Sequence, residues 1–424
     1  MAHQPRNLKK QPRNGSNSAN HYMNIFRTII KNIGVLILIT TPVLGYLGVS
    51  YVIQATMPID KEPYVHWNGL DPQESVYITW ETSDESASYV EYGTTPASLS
   101  SAELNSSLST LHRIRLDGLS AGTRYYYRVG GGSGDLTSEV QRFDTAPTTD
   151  GAFNVTLISD TQQFMGTGHY DLISDAIGSK RHGDASFLIN AGDLGQEYDN
   201  QATWNLFMRA GERFTGRIPM VPCLGNHDIS RTGEGGCANL YTKYYNMSRG
   251  GCGGYYAFNW SNTMFAVLQI AEGGDENPDT PFAIEHDTWL NQTLENAQDK
   301  AYRILIFHRQ LYSSIGNSET NINRLTPIIE KYNVSLVFYG HKHCYERFLV
   351  NGKSYICLGG GGGMQNTISY EYDYTRKIAL GPSFTRLFIN DDGITLKTLS
   401  PNFDIMDQAI FDRSGSKLIL TEES

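Results

Sequence analysis

The chain has no acidic residue before Asp60 and, between Lys31 and Asp60, no charge of either sign. Six bases (Arg6, Lys9, Lys10, Arg13, Arg27 and Lys31) precede that gap. The net charge of −10 therefore divides into a basic leader of +6 and a body of −16. An acidic body excludes broad nucleic-acid binding, which needs a basic surface, and with it a nuclease reading. Cysteine is scarce: the five (Cys223, Cys237, Cys252, Cys344, Cys357) show no zinc-finger spacing, and an odd number leaves at least one thiol free. Cys237 and Cys252 share a Gly-rich stretch, and they would suit a disulfide outside the cell. Cys223, in an apolar run, reads as packing. The run Gly359 to Gly363 lacks the Lys-Ser/Thr ending of a Walker loop, so it reads as backbone packed closely beside a site. No internal repeat is evident.

The charge-free segment is long. As a helix, Ile33 to Ala55 spans about 34 Å at ~1.5 Å per residue, enough to cross a hydrocarbon layer of ~30 Å. Pro42 is tolerable in such a helix. A secretory signal peptide is the alternative, but its apolar stretch is normally only ~7–15 residues. Ile53 is also bulky for the position three before a cut after Ala55. Length favours an uncleaved single-pass anchor. The flanking positive charge puts residues 1–32 in the cytoplasm and the body outside the cell.

What the chain does have is a series of metal-binding side chains just past apolar, strand-like runs. They fall in Ser159-Asp160-Thr161-Gln162, Gly192-Asp193, Gly225-Asn226-His227-Asp228, Phe307-His308 and Gly340-His341-Lys342-His343. Open α/β sheets gather ligand sites at the carboxyl ends of their strands, so these distant segments can meet in one crevice. A lone histidine at a strand end is usually just hydrogen-bonded. Five such endings in one domain are hard to produce by packing alone. Asp, Asn and His together suit zinc, iron or manganese, and two ions sharing a carboxylate make a hydrolytic site for phosphate esters.

The elements divide the chain further. Residues 61–147 alternate in short runs (Ser75–Trp80, Ala87–Tyr92, Arg124–Val129) broken by glycines, which predicts an all-β sandwich. Residues 152–412 alternate strands with helices and predict a layered α/β sandwich. Its strands are expected at Phe153–Ile158, Ser186–Ala191, Met220–Leu224, Tyr255–Ile270 (as a hairpin), Arg303–Phe307, Ser335–Tyr339 and Ser354–Leu358. Helices are expected at Tyr170–Ser179, Thr203–Phe214, Ile284–Ala297 and Ile322–Tyr332. Residues 413–424 read as a tail.

The order of the five endings resembles that of the calcineurin-like metallophosphoesterases. Gly340-His341-Lys342-His343-Cys344-Tyr345-Glu346-Arg347 is similar to the Gly-His-x-His-x-Tyr-Glu-Arg element of the purple acid phosphatase branch. Leu119 to Tyr127 resembles the tyrosine-corner stretch of fibronectin type III domains, a module that precedes the catalytic domain in plant-type members. Its expected role here is a spacer.

The resemblance implies a dinuclear-metal phosphoesterase in which metal-bound hydroxide attacks phosphate monoesters. Phosphodiesters or nucleotides are the alternative substrates, and an inactive surface binding protein is the alternative class. It further implies Asp193 as the bridging carboxylate, Asp160 and His343 in the first site, and Asn226, His308 and His341 in the second. His227 would protonate the leaving group with Asp228 as its orienter. His169, Arg309 and Tyr312, and with them Arg347, would be secondary substrate contacts.

Two positions depart from the purple pattern. Gln162 stands where that branch has glycine and other members a metal-binding histidine, so its amide either ligates the first metal or hydrogen-bonds a bound water. Gln196 stands where the branch has its ferric-binding tyrosine, and Tyr198 lies two places on. Without that phenolate, ferric iron is less favoured and a colourless protein is expected.

Overall fold

The computed structural model describes residues 59–424 apart from 68, 70, 132–134, 137, 164–168, 231–238, 247–253, 271–276 and 416. The segments expected to be a cytoplasmic tail and a membrane anchor, and the expected Cys237–Cys252 pair, lie outside the described residues. Among those described, no helix is long and apolar enough to cross a membrane.

Strands β1 (Ile59–His66), β2 (Val76–Gly93), β3 (Ser101–Leu116), β4 (Arg124–Gly131), β5 (Asp135–Leu136) and β6 (Gln141–Asp144) form one hydrogen-bonded sheet. The expected all-β class holds. The two layers of a sandwich are joined here, because β2 pairs with β1, β3 and β4 and shifts register between Glu81 and Ser88. Alternation along both halves of β2 sends Ile78, Trp80 and Val90 into a single core with Tyr127 and Phe143. The tyrosine-corner resemblance is matched in geometry, since the Tyr125 hydroxyl accepts the Ser120 amide at 2.9 Å.

This domain is more than the spacer read from sequence. Val65 N donates to Thr215 O at 3.0 Å, and the Tyr127 hydroxyl donates to Gly216 O at 2.8 Å. Trp67 packs among Phe187, Phe258 and Trp260, so its indole belongs to the core of the neighbouring domain.

That domain contains β7 (Phe153–Ile158), α1 (Tyr170–Gly178), β8 (Phe187–Asn190), α2 (Gln201–Gly211), β9 (Met220–Pro222), α3 (Asn239–Tyr245), β10 (Tyr256–Trp260) and β11 (Thr263–Val267). It continues with α4 (Pro281–Asn296), β12 (Tyr302–Ile306), α5 (Glu319–Lys331), β13 (Leu336–Tyr339), β14 (Tyr345–Val350) and β15 (Lys353–Leu358). It ends with β16 (Thr375–Ala379), β17 (Phe384–Ile389), β18 (Gly393–Leu399), β19 (Ile405–Ser414) and β20 (Lys417–Glu423). One sheet runs β10-β11-β12-β13-β15-β14-β16 and the other β20-β19-β18-β17-β7-β8-β9. The segment 413–424, read as a tail, instead completes the end of β19 and forms β20 at a sheet edge.

Period-2 alternation explains the layering. In β12, Ile304 and Ile306 join the core between the sheets, while Leu305 faces Leu290, Leu294, Leu325 and Ile329 of α4 and α5. Helix α4 starts where Thr280 caps the Ala283 amide at 3.1 Å and Pro281 occupies the first helical position. The result is the layered α/β sandwich expected, with β7, β8 and β9 parallel in one sheet and β11, β12, β13 and β15 parallel in the other.

Three buried imidazoles sit in these cores as neutral groups. Burial pushes His182 and His112 down to about 4, and His66 shifts the same way. His182 is held by Thr156 Oγ1 at 2.9 Å and Gly183 O at 3.0 Å. A depressed histidine stabilises the fold above its unfolded value of ~6.5, and that contribution is lost as the pH falls toward the folded value. For His182 the loss is up to about 3 kcal/mol at ~1.36 kcal/mol per pKa unit. We expect urea midpoints to drop between pH 6.5 and 4.5 and the drop to shrink in His182→Gln. A wild-type chain equally stable at both pH values would contradict this.

Candidate metal centre

Every expected metal ligand follows a strand: Asp160 follows β7, Asp193 β8, Asn226 β9, His308 β12, and His341 and His343 β13. Parallel pairing within each sheet brings these carboxyl ends together. Ligand atoms of Asp193, His308 and His341 lie within 4.8 Å of one another, as do those of Asp160, Asp193 and His343. Asp193 belongs to both groups. The Asn226 Oδ1 lies 2.8 Å from His341 Nδ1 and 3.1 Å from His308 Nε2, so it faces the first of these groups.

The turns are tight. Asp160, Asp193 and His341 adopt left-handed φ values of 57°, 55° and 71°. Non-glycine residues rarely adopt that conformation, and it concentrates at functional sites, where packing over-determines it. Amides then fix the carboxylates: His341 N donates to both Asp160 oxygens at 3.0 Å, and His227 N to Asp193 Oδ1 at 2.8 Å. The reading of the Gly359–Gly363 run as closely packed backbone also holds. A Cβ on Gly363 would come 2.5 Å from the His343 ring.

Hydrogen bonds outside the cluster set the imidazole tautomers. His308 Nδ1 lies 3.0 Å from Ala191 O and His343 Nδ1 2.7 Å from Met364 O, so each Nδ1–H donates outward and each Nε2 faces the cluster. Burial pulls His308 down, yet the Asp193 carboxylate 3.2 Å away overcomes it and raises the imidazole to about 9. Burial alone would raise Asp193, but His308 holds it well below the usual carboxylate range. Burial, then the charges of His308 and Arg309, drive His341 down to about 2. The buried carboxylate thus attracts positive charge while His341 rejects a proton. Anionic oxygen, amide oxygen and imidazole nitrogen together are a donor set that suits divalent cations.

Other expected residues fall elsewhere. Asp228 does not orient His227. Its buried carboxylate accepts the amides of Leu194 (3.0 Å), Gly195 (3.2 Å) and Gly225 (2.9 Å), tying the β8 and β9 loops together. His227 Nδ1 instead lies 2.7 Å from the Gln196 carbonyl, a partner that no side-chain pattern announces. Tyr312 sits in an aromatic core with Phe348, Tyr355 and Tyr374, and Arg347 pairs with Asp407, so neither serves as a substrate contact. Arg309, by contrast, lies at the edge of the cluster, its Nη1 2.9 Å from His341 Nε2. His169 precedes α1, exposed, with its amide on Gly362 O at 3.3 Å. Tyr198 lines a cavity of about 420 Å³ with Gln196, Asn226, His227 and Ile229.

Comparison with known proteins agrees with this geometry. Residues 153–345 match the calcineurin-like phosphoesterase family, and residues 62–145 match the purple acid phosphatase N-terminal domain. Purple acid phosphatase 15 of Arabidopsis thaliana is 24% identical over 305 residues, covering 61% of this chain and 55% of that protein. Purple acid phosphatase 23 of the same plant is 25% identical over 310 residues, covering 62% and 64%. The chain thus spans less than two thirds of either relative. The structure of a purple acid phosphatase from yellow lupin (Lupinus luteus) seeds superposes with a TM-score of 0.70 at 16% identity, over 83% of this chain and 74% of that one, and so shares the fold.

Proposed function

Because the chain belongs to the calcineurin-like phosphoesterases and carries the N-terminal domain of the purple acid phosphatases, we propose that it hydrolyses phosphate monoesters at a pair of cations. The observation that carries this reading is one carboxylate, Asp193, common to two clusters of ligand atoms. When bound, the cations stabilise the charge that develops on phosphorus and activate water. Asp160, Asp193 and His343 would hold one, and Asp193, Asn226, His308 and His341 the other.

The rest is done by side chains. With Nδ1 held by Gln196 O, His227 keeps Nε2 for the leaving oxygen, where imidazole can act as the general acid. Arg309, beside His341, adds fixed positive charge for a non-reacting phosphoryl oxygen. We further propose that residues 33–55 anchor the protein with its body outside the cytoplasm. The charge-free apolar run and its basic flank support this, and protease shielding in intact cells tests it.

Asn226→Ala and His308→Ala are each expected to lose at least ~100-fold in kcat/KM on a chromogenic monoester, an amount typical of a lost metal contact. Variants with wild-type rates would end the proposal. A panel of monoesters, diesters and nucleotides then sets the preferred class.

A further inference from the structure

Gln162 is 3% exposed and lies against the group formed by Asp160, Asp193 and His343. Its Nε2 sits 3.2 Å from Asp193 Oδ2 and 3.1 Å from His343 Nε2, while its Oε1 accepts no hydrogen bond among the described residues. Those two neighbours are acceptors. Asp193 offers a carboxylate oxygen, and His343, with its Nδ1 2.7 Å from Met364 O, turns its Nε2 toward the amide. The amide NH2 therefore occupies the direction in which both groups attract positive charge. A buried amide oxygen without a donor is costly, and exchanging the two ends of the amide changes no volume.

We propose that Gln162 ligates the first cation through Oε1, so that this site is Asp160, Gln162, Asp193 and His343. This rests on the dinuclear reading above and deepens it. The amide replaces a position where the purple pattern offers no side chain, and no phenolate follows Asp193 at the third place, where Gln196 stands. Neutral amide oxygen with two carboxylates and one imidazole suits a divalent ion of the manganese or ferrous class over ferric iron.

The test is Mn2+ binding to the full chain in detergent, followed by titration calorimetry and electron paramagnetic resonance. Wild type should bind two equivalents and show no visible charge-transfer band after iron loading. Gln162→Ala should weaken one equivalent at least tenfold and leave the other unchanged. Gln162→Glu decides how the amide acts, because glutamate keeps the oxygen ligand, adds charge and has no N–H to donate. If Oε1 ligates, Gln162→Glu binds as tightly as wild type or tighter. If the amide serves through its N–H, Gln162→Glu fails as Gln162→Ala does, and the inference is overturned. Unchanged binding in Gln162→Ala also overturns it while leaving the dinuclear reading intact. A wild type that binds no metal defeats that underlying reading instead.

Discussion

Asp193→Ala is expected to lose both cations together and to hydrolyse phosphate esters on the order of 10⁴-fold more slowly, since metal stabilisation is worth several kcal/mol and each ~1.36 kcal/mol is tenfold. Among the described residues no other side chain belongs to both ligand groups. Its Oδ1 also accepts His227 N at 2.8 Å, so the carboxylate sets loop geometry as well as charge. Asp193→Asn separates these roles by keeping the shape and removing the charge. In the metal-free protein His308 should then fall from about 9, because burial remains while the Asp193 carboxylate that chiefly opposes it is gone. Metal content by mass spectrometry, imidazole titration by NMR and kcat/KM on a chromogenic ester give three independent readings. An Asp193→Ala protein that keeps two ions, or stays within tenfold of wild-type rate, would sink the shared-carboxylate account.

The site was legible in sequence to the extent that it is made of side chains at strand ends. Asp160, Asp193, Asn226, His308, His341 and His343 could be read off because apolar runs mark the strands and parallel sheets align their carboxyl ends. Asp228 was misassigned because adjacency in sequence says nothing about direction. One residue past His227, it turns inward to three amides, while the imidazole finds a carbonyl of the loop after β8. Backbone partners such as Gln196 O and Met364 O leave no residue-type signature. Tyr312 lay close to His308 in the chain, and the structure buries its ring among other aromatics.

The fold was legible where periodicity was strong. The strands expected at Phe153–Ile158 and Ser354–Leu358 appear as β7 and β15, and the 255–270 hairpin as β10 and β11. The short α3, Asn239–Tyr245, was missed because its Asn-Leu-Tyr-Thr-Lys-Tyr-Tyr run carries β-favouring aromatics. Its burial of Tyr241, Tyr244 and Tyr245 is a tertiary effect that overrides propensity. The interlock between the domains was missed for a related reason. Trp67 stands just past β1 and reads as a residue of its own sheet, yet it packs on Phe187, Phe258 and Trp260 across the boundary.

The tail expected at 413–424 leads to the second large effect, because β19 and β20 hold the partners of the Tyr-Glu-Arg segment. Asp407 on β19 is fully buried and takes Arg347 Nε at 2.8 Å, Arg347 Nη2 at 3.0 Å and the Tyr345 hydroxyl at 2.6 Å, while Glu423 of β20 takes Arg347 Nη1 at 2.8 Å. This cluster joins β14 of one sheet to β19 and β20 of the other. Asp407→Ala removes two of these three carboxylate hydrogen bonds from a guanidinium that is 1% exposed, and breaking one partner of a buried ion pair typically costs about 3–5 kcal/mol. The double variant Asp407→Ala/Arg347→Met should recover most of that loss, since apolar replacement of a whole buried pair is often near neutral. The strong non-additivity of the two changes is itself the signature of direct coupling. Tyr345 lies two residues beyond His343, so Asp407→Ala should also weaken the first cation site, whereas a surface pair such as Arg115 with Asp117 should do neither. Urea unfolding of the single and double variants decides it. A loss below about 1 kcal/mol in Asp407→Ala would mean that the two sheets are held by their apolar core alone.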